Sequence, residues 1–120
     1  MTAPNIVNTS IIYGKTAGIV LTSTSGDLLI NSNNSNKVLK INSLYLNNLS
    51  ANSVSATISW NNGTTSFIII KDVVIPANSV LVLIDKNAPL YLEENCKLIG
   101  ISNADGNQNI NAIISYEEIS

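Results

Sequence analysis

Carboxylates are the residues of this sequence most able to do chemistry, because two of them across a groove can act as acid and base in glycoside hydrolysis. Most of the eight fall in predicted turns or at predicted strand ends, where a solvated carboxylate is the default. A catalytic groove would also need aromatic lining, and the chain has one Trp, one Phe and four Tyr. We therefore predict no catalytic residues and no enzyme activity. The carboxylates are Asp27, Asp72, Asp85, Glu93, Glu94, Asp105, Glu117 and Glu118.

Nucleophilic and metal sites have little to build on. The chain contains no histidine, which excludes Ser-His-Asp and Cys-His nucleophile systems and histidine-based zinc sites. The single Cys96 has no base in view, and we expect it to be a small core hydrophobe. Oxygens of Asn103, Asp105 and Asn107 suit calcium, but their spacing is not that of an EF-hand and there is no terminal Glu. We predict a turn there, with no metal and no cofactor.

Aromatic side chains suggest one binding function. Trp60, Tyr45, Tyr91 and Tyr116 would make a lectin-like domain if they formed a platform for stacking sugars. However, Trp60 lies on the apolar face of its predicted strand, which favours a core tryptophan. A carbohydrate-binding, receptor-recognising module is retained as an alternative function.

Composition bounds the remaining choices. A chain of 120 residues is one domain by length. Charged residues make up 12%, about half the usual share, and Asn, Ser and Thr carry most of the polarity. The net charge is −2 and there is no arginine, so we predict no nucleic-acid binding. No apolar run approaches the roughly 20 residues that span a bilayer, so we also predict no membrane partner. The opening residues lack the features of a secretory signal, which indicates synthesis in a cytoplasm.

Short apolar runs fenced by turn residues predict strands throughout. Residues 54–60 alternate strictly between apolar and polar, and Asn61-Asn62-Gly63 favours a type I′ hairpin. Gly14-Lys15 reads as a turn, and residues 31–36 read as an exposed polar loop. We predict an all-β, single-domain antiparallel β-sandwich of about eight strands over residues 14–120, of the jelly-roll or Greek-key kind. Residues 1–13 are expected to form an N-terminal arm or an edge strand.

Residues 37–47 carry apolar side chains in both alternating registers. Either a bulge shifts the register, or a partner subunit covers the second face. The second interpretation, together with an apolar arm suited to strand addition, predicts contacts with another copy or with a neighbouring protein. The candidate contact residues are Ile6, Val7, Ile11, Ile12, Val38, Leu44 and Leu46.

Four segments carry a resemblance to a known family: residues 40–42 (KIN), 74–79 (VIPANS), 92–98 (LEENCKL) and 115–118 (SYEE). In this order they resemble small β-sandwich virion structural proteins of tailed bacteriophages, in particular T4-like and related phages of marine bacteria. That family typically has Gly-Asp where this chain has Asn95-Cys96. Asn also tolerates a left-handed φ, so the turn can be kept.

The resemblance implies a non-enzymatic virion protein, assembled in the host cytoplasm and present in many copies. It would be an oligomeric capsid decoration or accessory protein, with a neck or tail role as the alternative. Expected partners are further copies of itself, in a closed ring or trimer, and the major capsid or neck and tail proteins.

Overall fold

A computed structural model describes residues 11–103 and 110–120. Within these residues the chain forms nine strands and no helix, and therefore no helix that could cross a membrane. The strands are β1 (Ile12–Leu21), β2 (Gly26–Ile30), β3 (Val38–Asn48), β4 (Val54–Asn61), β5 (Ser66–Ile75), β6 (Val80–Ile84), β7 (Leu90–Leu92), β8 (Lys97–Ser102) and β9 (Ile110–Ile119).

The strands form two antiparallel sheets. In the first sheet the order is β1-β9-β3-β6, with β7 also paired to β3; in the second it is β2-β8-β4-β5. Because β6 and β7 pair with successive stretches of the same strand, they are two halves of one interrupted strand. When β6 and β7 are counted as one strand, the described residues form eight strands. These strands pair like a long hairpin folded over on itself: β1 pairs with β9, β2 with β8, β3 with the interrupted strand β6–β7, and β4 with β5. This order is a jelly roll, and it confirms the predicted β-sandwich.

Apolar side chains from both sheets fill the space between them. Val54, Ala56 and Ile58 of β4 are buried, as the alternating sequence predicts, and Trp60 packs against the core at its edge. The two sheets pack closely at Gly100, because a Cβ there would lie 2.7 Å from a methyl carbon of Leu21. The sandwich has no spare room at that point.

A bulge in β3 resolves the ambiguity of residues 37–47. Ile41 pairs with Tyr116 and Ser43 with Ser115, which leaves Asn42 as an extra residue. The extra residue reverses the alternation, so Leu39 and Ile41 before it and Leu44 and Leu46 after it all point inward. The candidate contacts Leu44 and Leu46 are consequently buried in the core, and Val38 is also buried within the chain itself, so the prediction that these three residues face a partner is wrong.

The candidate contact residues near the N-terminus either are not buried in the core as Leu44 and Leu46 are, or lie outside the described residues. Ile6 and Val7 lie outside the described residues. Ile11 and Ile12 are exposed, and β1 begins at Ile12 and pairs without interruption along β9. The predicted turn at Gly14-Lys15 is wrong, because both residues lie inside this regular edge strand, where Gly14 pairs with Glu117.

The predicted hairpin between β4 and β5 is present, with a different turn. Asn62 N–H donates to the Thr65 carbonyl across a four-residue loop at 3.1 Å, and only Gly63 has a positive φ, of 100°. A type I′ turn requires two such residues. Elsewhere the left-handed turn positions are taken by asparagines, which tolerate that conformation: Asn34, Asn36, Asn78 and Asn95.

Two buried asparagines tie the loops together. The Asn48 side-chain amide donates to the carbonyls of Asn52 and Ile75 at 2.8 and 2.9 Å, and its oxygen accepts from Ser50 N–H at 2.9 Å. At the other end, Asn31 Nδ2 donates to the carbonyls of Lys37 and Leu92, both at 2.9 Å. The expectation that residues 31–36 are wholly exposed is therefore wrong for Asn31, which is buried because its polar atoms are satisfied internally.

We expect Asn48→Ala to lower the free energy of unfolding by about 2–4 kcal/mol, because it leaves buried carbonyls without a donor. Urea denaturation followed by tryptophan fluorescence measures the change. Asn47→Ala is the matched control, since Asn47 lies next to Asn48 on the opposite face of β3, and it should cost less than about 0.5 kcal/mol. Equal effects from the two variants would contradict the structural role of Asn48.

Candidate functional site

The described carboxylates are dispersed and engaged in local contacts. Asp27 pairs with Lys97 at 3.3 Å, Asp72 accepts from the Thr57 hydroxyl at 3.4 Å, and Asp85 accepts from Asn87 N–H at 2.9 Å. Among residues 11–103 and 110–120 no three carboxylate, cysteine or histidine groups come together as metal ligands would. Asp85 lies in a turn and Asp27 near the start of β2, whereas Asp72 lies at an irregular stretch inside β5.

Glu118 is the most strongly paired of them. Its carboxylate lies 3.1 Å from the Lys15 ammonium and 3.2 Å from that of Lys37, and so links β9 to β1 and to the start of β3. The hydrogen bond from Lys15 is the largest cause of a lowered pKa for Glu118; burial opposes it and Lys37 adds to it. The same pairing raises the pKa of Lys15. The cluster is a structural clamp.

The pH dependence of stability should carry the signature of this clamp. A carboxylate with a lowered pKa in the folded state stabilises the protein above its unfolded pKa of about 4.3, and the contribution is lost as pH falls through the folded value. We therefore expect Glu118→Gln to destabilise the protein at neutral pH and to match the native chain at strongly acidic pH. Urea denaturation across this range tests it. Glu93→Gln, which removes an exposed carboxylate with no ion pair in the described structure, should run parallel to the native chain.

Cys96 and Asn103, the one described residue of the candidate calcium loop, both have structural roles. Cys96 is buried, and desolvation, followed by the charge of Glu93, raises the pKa of its thiol. Asn103 Oδ1 accepts from Ser55 N–H at 2.8 Å, so its oxygen closes a backbone contact. Asp105 and Asn107 lie outside the described residues.

The aromatic residues do not form one platform. Trp60 stacks on Phe67, with ring centroids 5.5 Å apart, in the second sheet. Tyr116 packs against the core, while Tyr45 and Tyr91 lie exposed on the first sheet at opposite ends of β3. The sugar-stacking arrangement considered from sequence is absent from the described residues.

An apolar surface instead occupies the part of the first sheet's outer face that lies away from the Lys40–Glu117 ion pair. Ile113, Tyr45 and Val82 are direct neighbours across β9, β3 and β6. The flanking cross-strand rows carry only uncharged polar groups and aliphatic side chains. A contiguous, charge-free apolar face is characteristic of the centre of a protein–protein interface. We call it the outer patch; its residues and exposed fractions are Val20 51%, Tyr45 37%, Val80 58%, Val82 49% and Ile113 39%.

The surface of the outer patch is uneven as well as apolar: it has a hollow and a projection. Gly18 pairs with Ile113 on the β1 side, and space is open where its side chain would be. A shallow hollow of about 230 Å³ lies between Gly18, Val20 and Ile113. Tyr45 stands on the other side of Ile113. A depression and a projection therefore flank the same isoleucine, each one strand away.

A second apolar surface lies on β5, one of the two edge strands of the second sheet. Phe67, Ile68, Ile69 and Val74 are all exposed there. Edge strands of this kind invite strand pairing, and natural proteins blunt them with bulges and charges. Here the pairing with β4 is twice irregular, and Lys71 and Asp72 interrupt the apolar run. These devices make β5 a poorer docking edge than its composition suggests.

Comparison with known proteins gives little. No family model and no curated protein matches the chain. One matching solved structure is "Structure of infectious bursal disease virus Gt strain", at 11% identity and a TM-score of 0.36, covering 92% of this chain and 31% of that one. The chain thus spans about a third of its length. The neighbour is viral, which is the coarse form of the class expected from sequence, but a TM-score of this size establishes no shared fold and nothing about phages or decoration.

Sequence reasoning missed the outer patch for an identifiable reason. Its members come from four strands, and each looks like an ordinary strand residue in the sequence. The sequence of β3 could have revealed it, but Val38, Leu44 and Leu46 were predicted to face a partner in place of Tyr45. Once Asn42 is taken as a bulge, Tyr45 is the apolar residue of that strand left facing outward.

Proposed function

We propose that the chain is a non-enzymatic structural protein of a virus particle, and specifically an oligomeric accessory protein that decorates and stabilises the capsid of a tailed bacteriophage. The jelly roll supports the particle role, because viral capsid domains use this architecture. Lectins and cupins use it too, so the proposal depends on the surface rather than on the fold.

One observation carries it: the charge-free outer patch spans four adjacent strands of the first sheet. Exposed apolar area of this kind is costly to leave in water and marks a surface that binds another protein. In a component present in many copies, the nearest occupant is a second copy of the same chain.

The relief of the outer patch favours a two-fold contact between copies. Gly18 and Tyr45 lie one strand to either side of Ile113, so a two-fold axis running along β9 above Ile113 would place Tyr45 of each copy over the hollow of the other. Such an isologous contact is closed and self-complementary. It replaces the ring or trimer expected from sequence, which was to bury Val38, Leu44 and Leu46.

We expect the chain to form dimers in solution, and Tyr45→Lys to weaken dimerisation by about tenfold or more, because it places two like charges in an apolar contact. Sedimentation equilibrium over a range of concentrations measures it. Tyr91→Lys is the matched control, since it makes the same substitution on the same sheet outside the outer patch, and it should dimerise like the native chain. A chain that stays monomeric up to its solubility limit would rule out the self-associating role.

Gly18→Val tests the hollow separately from charge. A Cβ added at Gly18 has no atom within 4 Å in the monomer, and valine suits a strand better than glycine, so monomer stability should be kept or raised by up to about 1 kcal/mol. We expect dimerisation to weaken by about tenfold, because the hollow is filled. Sedimentation combined with urea denaturation separates the two effects; unchanged dimerisation would show that the hollow is not used.

The location on the particle is testable by immunogold microscopy of particles from a phage that encodes the chain. Label distributed over the head supports decoration. Label confined to the neck or tail would replace the head role by the alternative accessory role, and particles without the chain would contradict a virion function.

A further inference from the structure

A pocket whose lining includes four asparagines lies at one end of the second sheet, on the opposite sheet from the outer patch. Its volume is about 440 Å³, within the range of roughly 300–1,000 Å³ typical of small-molecule sites. Three connections border it: the β2–β3 loop at Ser32 and Asn33, the β4–β5 hairpin at Gly63, and the β7–β8 turn at Asn95. Ile30 and Lys97, from adjacent strands, complete its base.

The walls of this pocket are fixed by backbone contacts. Asn31 N–H donates to the Cys96 carbonyl at 2.9 Å, and Asn95 N–H donates to the Asn31 carbonyl at 2.8 Å. These two bonds join the β2–β3 loop to the β7–β8 turn, and the buried Asn31 side chain secures the same loop from inside. Gly63 packs so closely that a Cβ there would lie 2.6 Å from Asn95 Nδ2. A pocket held in this way is largely formed before a ligand arrives.

The chemistry of the lining is neutral and amide-rich. Among the described residues that line the pocket, Lys97 is the charged one, and its ammonium is paired with Asp27 at 3.3 Å. The side-chain amides of Asn33 and Asn95 form no hydrogen bond within the described part of the chain, so each has a donor and an acceptor available. Ile30 is half exposed beside them and offers an aliphatic surface.

From this geometry we propose that the pocket binds a neutral carbohydrate. Sugar hydroxyls both donate and accept, as side-chain amides do, and the carbon face of a sugar ring packs on an aliphatic side chain such as Ile30. An anion would find the lysine already paired with Asp27, and a metal ion would find no carboxylate among the lining residues that the structure describes. A predominantly apolar ligand would leave the amides of Asn33 and Asn95 unpaired.

Nuclear magnetic resonance of the isotope-labelled full chain provides the test. The probes are free N-acetylglucosamine, galactose, glucose and mannose, with glucose 6-phosphate as an anionic counter-probe. We expect at least one neutral sugar to shift the side-chain amide signals of Asn33 and Asn95 and the backbone amide of Gly63 saturably. The absence of saturable shifts with all four neutral sugars would overturn the proposal, as would tighter binding of glucose 6-phosphate.

Matched variants separate pocket binding from non-specific effects. Asn95 has a φ of 66° and Asn78, at the far end of the sandwich, has a φ of 56°, so glycine fits both backbones. We expect Asn95→Gly and Asn33→Ala each to weaken sugar binding by about tenfold or more, while Asn78→Gly binds like the native chain. Unchanged affinity in both pocket variants would place the sugar elsewhere and refute the site.

Discussion

One extra residue in β3 determines the character of both faces of the first sheet. β3 pairs with β9, β6 and β7, so its alternation sets which side chains the whole sheet presents inward. The bulge at Asn42 turns Leu39 and Ile41 before it, and Leu44 and Leu46 after it, towards the core. The same shift leaves Tyr45 outside, beside Ile113. A well-filled interior and an apolar exterior therefore have one origin, because side chains in a strand alternate with a period of two and a bulge breaks that period once.

Uncharged polar side chains, chiefly asparagines, hold the loops of this chain to the sheets by hydrogen bonds. Asn31 and Asn48 each replace several missing backbone partners at opposite ends of the sandwich, which allows the loops to close tightly over the core. Other asparagines hold the left-handed turn positions. A chain so poor in charge can thus hold the connections at Asn31 and Asn48 in place, while a sheet face with few charges has little electrostatic repulsion to keep apolar surfaces apart. The low fraction of charged residues and the apolar outer patch both favour contact with another protein surface.

Much of the architecture was predictable because it rests on local signals. Alternation in β4 gave its buried face correctly, and Asn-Gly gave the hairpin that follows it. The errors arose where distant partners decide the outcome. Gly14 and Lys15 look like a turn, yet β9 pairs with both and extends them. Asn31 looks solvent-exposed, yet its partners are the Lys37 and Leu92 carbonyls, the second contributed by a distant strand. Neither the outer patch nor the amide-lined pocket is contiguous in sequence, so only the topology brings their residues together.

The pairing of β1 with β9 has a consequence for how the protein forms. Thr16 and Ser115 touch across 99 positions of sequence, so β1 has no hydrogen-bonded strand partner among the described strands until β9 has been synthesised. Closing so long a loop is entropically expensive and slow. During translation β1 therefore stays without its strand partner, with its apolar residues exposed, until β9 has left the ribosome. Yield in the cell should consequently be governed by how well that waiting segment is shielded, and chaperone supply is the natural means of shielding it.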